Sequence, residues 1–124
     1  MDLYAVMGNP VAHSKSPQIH TRFAAQTRQD MAYRAILVER GNLPDAIAEF
    51  VSAGGRGVNI TVPFKEDAWA LAAQRSARAE RAGAVNTLVL HETGRHFGDN
   101  TDGAGLVRDL CDNNGATLHR ARLL

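Results

Sequence analysis

The chain has 124 residues, 44% hydrophobic and 22% charged, which is the length and balance of one ordinary folded domain. Fourteen basic and thirteen acidic residues leave a net charge of +1, so no overall basic field favours nucleic acid or an anionic membrane. A single cysteine, Cys111, cannot form an internal disulfide; no apolar run approaches a membrane span; the start carries no signal-peptide pattern; and together these point to a cytoplasmic protein.

Leu3 to Met7 reads as a first strand, ended by the turn Gly8-Asn9-Pro10. Ser16 before Pro17 reads as the cap of a helix running to about Thr27. Tyr33 to Val38 forms a second strand. Asn42 caps a second helix with an apolar stripe of Leu43, Ile47, Phe50 and Val51, and Gly54-Gly55 stops it. Gly57 to Val62 is a third strand, ended by Pro63. Helical pieces follow over about 64–73 and 76–82. Val85 to Leu90 and His96 to Asn100 form a hairpin turning at Thr93-Gly94, and a last helix runs from Asp102 to about Cys111. This order predicts an α/β fold. Its sheet is open and mainly parallel, with helices on both faces and one antiparallel strand from the hairpin. Arg122-Leu123-Leu124 reads as the opening of another strand, so the expectation is the first piece of a longer protein.

Polar segments fall at the strand ends, where open α/β sheets bind ligands. Ser14 and Ser16 place two hydroxyls at a helix N-terminus, which suits a carboxylate or a polyol. The alternative makes Ser16 only a cap and Ser14 only a loop residue. Asn59 and Thr61 are expected on one face of the third strand, with Ile60 and Val62 on the other. Lys65 opens the next helix, where the dipole disfavours a cation, so it needs an anion nearby or a reason to lose its proton. Only two of the fourteen basic residues are lysines, which adds weight to Lys65. Asp102 is its natural counter-charge if the strand ends meet, although Asp99 and Asp102 also suit simple helix capping. Asn86 enters the fourth strand beside them.

Other features read as structural. The two G-x-G runs, Gly55-Arg56-Gly57 and Gly103-Ala104-Gly105, lack the third glycine of a dinucleotide fingerprint. The five histidines have no zinc spacing. Arg75, Arg78 and Arg81 read as a solvated helix face, with a phosphate-facing edge as the alternative; Trp69 and Cys111 read as core.

Taken together, Gly8-Asn9-Pro10-Val11-Ala12-His13-Ser14-Lys15-Ser16-Pro17, Asn59-Ile60-Thr61-Val62-Pro63-Phe64-Lys65, Gly83-Ala84-Val85-Asn86-Thr87 and Gly98-Asp99-Asn100-Thr101-Asp102-Gly103 resemble the successive motifs of the shikimate dehydrogenase family, in order and spacing. The resemblance implies a substrate-binding domain over 1–113, with 114–124 opening an NADP-binding Rossmann domain. It implies reduction of 3-dehydroshikimate to shikimate. Lys65 and Asp102 would be the catalytic pair. Ser14 and Ser16 would hold the substrate carboxylate, and Asn59, Thr61, Lys65, Asn86 and Asp102 would complete the substrate site. NADP would be bound outside these residues. The retained Ser16 favours shikimate over quinate. Ala77 stands where some members carry an acidic residue near the cofactor, with Glu80 close by. Nucleic acid and membrane are not expected partners, and a homodimer is allowed for by the uncovered interdomain face. A stand-alone hydroxy-acid binding module without catalysis is the alternative reading.

Overall fold

The computed structural model describes residues 1–122. Strands β1 (Asp2–Gly8), β2 (Met31–Leu37) and β3 (Gly55–Ile60) alternate with helices α1 (Ser16–Thr27) and α2 (Leu43–Ser52). Helix α3 (Lys65–Leu71), strand β4 (Gln74–Arg75), helix α4 (Ala77–Ala82), strands β5 (Thr87–Val89) and β6 (Phe97–Asp99) and helix α5 (Asp102–Arg108) follow. A π-helical turn, Asp109–Asn113, extends α5. The six strands lie in the order β2-β1-β3-β5-β6-β4. All pairings are parallel except those of β5, which runs against both β3 and β6. The expected α/β class and its single reversed strand are therefore present.

Side chains alternate along each strand, and the register aligns the rows across the sheet. Ala5 pairs with Val58, which pairs with Leu88. These three turn to a core closed by Leu43, Ile47 and Phe50 of α2, Phe64, Ala68 of α3 and Ala79 of α4. The intervening row is Val6, Asn59 and Thr87. It faces the other way, where Val6 lines a recess together with Ser14, Ser16 and His20 around α1. Helices thus lie on both faces, and the second face carries the polar residues.

Four local readings are corrected. Strand β3 ends at Ile60, because Thr61 begins a turn in which Phe64 N–H donates to the Thr61 carbonyl at 3.0 Å. Val62 consequently stands 66% exposed instead of opposite Asn59. Ser16 is the first residue of α1 and makes no capping bond; Lys15 holds the cap position, and Ser16 N–H donates to Ser14 Oγ at 3.3 Å. Arg75 ends β4 instead of lying on a helix face, and its guanidinium sits 4.0 Å above the Trp69 ring. Cys111 is only half-buried in the π-helical turn. The strand expected at Arg122-Leu123-Leu124 falls largely outside the described residues. Among those described, no helix is long and apolar enough to cross a membrane.

Candidate active site

The carboxyl ends of β1, β3 and β6 and the start of β5 meet at one edge of the sheet, as their register requires. A recess of about 260 Å³ opens there. Its lining includes Ser14, Ser16, Asn59, Thr61, Lys65, Asn86 and Asp102. The structure therefore gathers all seven candidate residues from four separate segments. A larger cavity of about 730 Å³ lies next to it and shares His20 and Asn59 with the recess. It contains none of the charged pair, so the smaller recess is the candidate for chemistry.

Lys65 is the first residue of α3 and half-buried. Its Nζ donates to Asp102 Oδ2 at 2.6 Å. Asp102 begins α5, where the free N–H groups and the dipole favour an anion. It is anchored further by Asn86 Nδ2, 3.1 Å from its Oδ1, and by its own N–H donating to Asn100 Oδ1 at 3.0 Å. The expected counter-charge of Lys65 is thus in place. Ser14 Oγ accepts the Ser16 N–H, which leaves the Ser14 hydroxyl hydrogen free to donate into the recess. Thr61 is held by its backbone N–H, which donates to the Met7 carbonyl at 3.0 Å.

Asp99 is not part of this recess. Its carboxylate accepts two bonds from Arg78, at 2.7 and 2.5 Å, and one from Ser76 Oγ at 2.6 Å. The Arg78 guanidinium, aided by Ser76 and the Asn100 N–H, holds its carboxyl well below the usual carboxylate range against the opposing effect of burial. Arg75 donates to Glu80 at 2.6 Å. Arg75 and Arg78 are therefore engaged within the fold instead of forming a phosphate-facing edge.

The two G-x-G runs lie in β3 and in α5 instead of in a strand-to-helix turn. Neither forms the glycine turn that cradles a dinucleotide pyrophosphate. Among the described residues, no group of three or more His, Cys, Asp or Glu side chains is placed to hold a metal ion.

Three residues around the site escaped the sequence reading. His20 lines the recess and stacks on the Tyr33 ring with centroids 4.1 Å apart and planes 7° apart. Tyr33 Oη donates to Asn59 Oδ1 at 2.7 Å. Thr101 donates its N–H to Asn86 Oδ1 at 3.0 Å. Only the proximity of Thr101 to Asp102 in the chain offered a signal, since Tyr33 reaches Asn59 across the intervening strand.

An open, mainly parallel sheet with hydroxyls, amides and one Lys–Asp pair at its strand ends defines an α/β domain for a small polar ligand. A family model described as the shikimate dehydrogenase substrate binding domain matches residues 6–88, and the chain belongs to that family. Similar proteins include the shikimate dehydrogenase (NADP(+)) of Alkalilimnicola ehrlichii, 59% identical over 99% of this chain and 45% of that protein. That of Dechloromonas aromatica is 59% identical over 99% of this chain and 44% of that protein. Among solved structures, the shikimate 5-dehydrogenase of Thermus thermophilus in complex with shikimate superposes with a TM-score of 0.86 at 41% identity, covering 95% of this chain and 44% of that one. The same enzyme with NADP(H) and shikimate gives a TM-score of 0.87. The chain spans less than half the length of these relatives.

Proposed function

We propose that this chain is the substrate-binding half of an NADP-dependent shikimate dehydrogenase, which reduces 3-dehydroshikimate to shikimate. The observation that carries the reading is the convergence of Ser14, Ser16, Thr61, Lys65, Asn86 and Asp102 on one recess with the Lys65–Asp102 contact at its centre. Ser14 and Ser16 donate hydroxyls to the substrate carboxylate beside the N-terminus of α1, whose dipole favours the anion. Thr61, Asn86 and Asp102 order the ring hydroxyls. Lys65 and Asp102 form the unit that exchanges a proton with the substrate oxygen as it becomes a hydroxyl. The nicotinamide supplies the hydride when bound. It is held outside the residues described here, which have no cradle for it.

In this reading residues 1–113 form the substrate-binding domain and 114–124 lead toward the cofactor domain, consistent with the share of each relative that is covered. Retention of Ser16 supports shikimate over quinate. The lone Cys111 supports a cytoplasmic setting. Helix α5 contributes no buried residue and leaves Leu106 and Val107 exposed, which suits covering by a further domain or by a second copy of the chain.

A titration of the 124-residue chain with shikimate by NMR, beside an NADPH absorbance assay, tests this. Saturable shifts confined to the recess, with no NADPH consumption, are expected. Saturable NADPH binding to these residues, or shikimate shifts elsewhere, would overturn it.

A further inference from the structure

Four hydrogen bonds lead in one direction from Tyr33 to the Asp102 carboxylate, on which Lys65 also donates. Tyr33 Oη donates to Asn59 Oδ1 at 2.7 Å. Asn59 Nδ2 donates to Thr87 Oγ1 at 3.2 Å and to the Asn86 carbonyl at 3.4 Å. Thr87 Oγ1 donates to Asn86 Oδ1 at 2.9 Å. Asn86 Nδ2 donates to Asp102 Oδ1 at 3.1 Å, and Lys65 closes the chain on Oδ2.

Backbone groups of fixed character set this direction. The Asn86 carbonyl can only accept, so the NH₂ of Asn59 must face it. Asn59 Oδ1 then faces Tyr33, and the phenol must donate. At the other end the Thr101 N–H can only donate, so the amide oxygen of Asn86 must face it. The Asn86 NH₂ is thereby directed at Thr101 Oγ1, 2.8 Å away, and at Asp102. Thr87 lies between an NH₂ and an amide oxygen, so its hydroxyl accepts from the first and donates to the second. Turning either amide over would set donor against donor or oxygen against oxygen.

The outer end is also fixed. His20 stacks on the Tyr33 ring, and its Nδ1 lies 2.9 Å from the Ser16 carbonyl. That carbonyl only accepts, so Nδ1 carries the hydrogen. Burial pushes the Tyr33 phenol up to about 12 against a smaller lowering by Ser16, so it remains a donor at ordinary pH.

We propose that Tyr33, Asn59 and Thr87 are positioning residues, a one-way hydrogen-bond relay that fixes the Asn86 amide and, through it, the Asp102 carboxylate. Both amide hydrogens of Asn59 are already used within the fold. Held in this way, its amide orients the residues on either side of it. The proposal deepens the shikimate reading above and rests on it for the ligand. Bonds in such a chain polarise one another, so a break at one point weakens those beyond it.

The test is a shikimate titration of the chain with three substitutions. Thr87→Val removes the relaying hydroxyl, Thr87→Ser retains it, and Tyr33→Phe removes one oxygen while retaining the stacked ring. Loss of one neutral hydrogen bond predicts about three- to tenfold weaker binding for Thr87→Val and for Tyr33→Phe. Thr87→Ser is expected within about twofold of the wild type, and Tyr33→Phe should move the Asn86 side-chain amide signals no further in the Thr87→Val background. The side-chain amide signals of Asn86 should move in Thr87→Val and Tyr33→Phe and stay in place in Thr87→Ser. Equal effects of Thr87→Val and Thr87→Ser, a further movement of the Asn86 signals in the double variant, or unmoved Asn86 signals would overturn the relay. Should Thr87→Val fail to fold, the Tyr33→Phe signals decide. A wild-type chain that does not bind shikimate overturns the proposed function instead, and the amide signals then decide the relay alone.

Discussion

Thr61 rests its methyl group directly against Gly8: a Cβ on Gly8 would stand 2.3 Å from Thr61 Cγ2 and 3.2 Å from the Val62 carbonyl. The glycine is required here by space instead of by a left-handed backbone. Gly8→Ala should therefore push the Thr61–Val62 turn outward. Overpacking of this kind typically costs about 1–3 kcal/mol. The expected result is a lower melting temperature together with weaker shikimate binding. Thr61→Ser removes the obstructing methyl, so in that background Gly8→Ala should cost less. An undiminished cost in a thermal-melt comparison would refute the contact.

Lys65 and Asp102 expose 34% and 53% of their side chains. A pair so open to water contributes little to stability. If the proposed function holds, Lys65→Ala in a full-length dehydrogenase carrying this domain is expected to lower kcat by about 10²–10⁴-fold, the usual worth of a general acid–base group. KM should change less, and the melting temperature should stay close to the wild-type value. Steady-state kinetics with a parallel melt check this, and a near-normal kcat would sink the proton-transfer role.

Ser14→Ala and Ser16→Ala each remove one hydroxyl that the proposed function assigns to the substrate carboxylate. A hydrogen bond to a charged group is worth about 1.5–3 kcal/mol, so each variant should bind shikimate about ten- to a hundredfold more weakly. Ser16 makes no capping bond, so its loss should leave the helix as stable as before. Calorimetric titration and circular-dichroism melts separate the two effects. A Ser16→Ala chain that melts markedly lower would show a capping role that the geometry does not contain.

Acid should weaken the fold in two stages. His96 is buried, and its Nδ1 accepts the His91 N–H at 3.2 Å, so the ring is held neutral. Burial, with the nearby His91 charge, lowers its pKa below the ordinary 6.5. The unfolded chain then takes up the proton first, so stability is full above that pH and declines as pH falls below it. Asp99 behaves likewise lower down. Arg78 holds its carboxyl below the ordinary 3.8, so its stabilisation is complete above that pH and is lost as pH falls through the folded value. His96→Gln should flatten the upper stage of a plot of melting temperature against pH, and Asp99→Asn the lower. Unchanged slopes would refute the assignments.

Much of the fold was legible because it rests on local pattern. The stripe of Leu43, Ile47 and Phe50 announced α2, and all three are buried. Strand β4 was not legible: it has two residues, and its existence depends on pairing with β6. The end of β3 was misplaced because Thr61 and Val62 are good strand formers, and only the bond from Phe64 N–H to Thr61 turns the chain there. In the site, residues within compact motifs could be picked out. Tyr33 could not, because its reach to Asn59 follows from a register in which Tyr33 pairs with Tyr4 and Val6 with Asn59. No local pattern encodes that register.

The hairpin β5–β6 carries Asn86 just before its first strand and Asp102 just after its second, while its turn, with Gly94 at φ +76°, lies at the far end. Length and alignment are therefore under different constraints. Extra residues grafted between Glu92 and Arg95 would extend a solvent-exposed tip away from the recess, making that tip a permissive point for a fluorescent label or an affinity tag. A single residue added within β5 or β6 would instead shift one strand by one place and turn its side chains to the opposite face. Asn86 and Asp102 would then no longer meet, so the same insertion would be tolerated in the turn and disabling in either strand that flanks it.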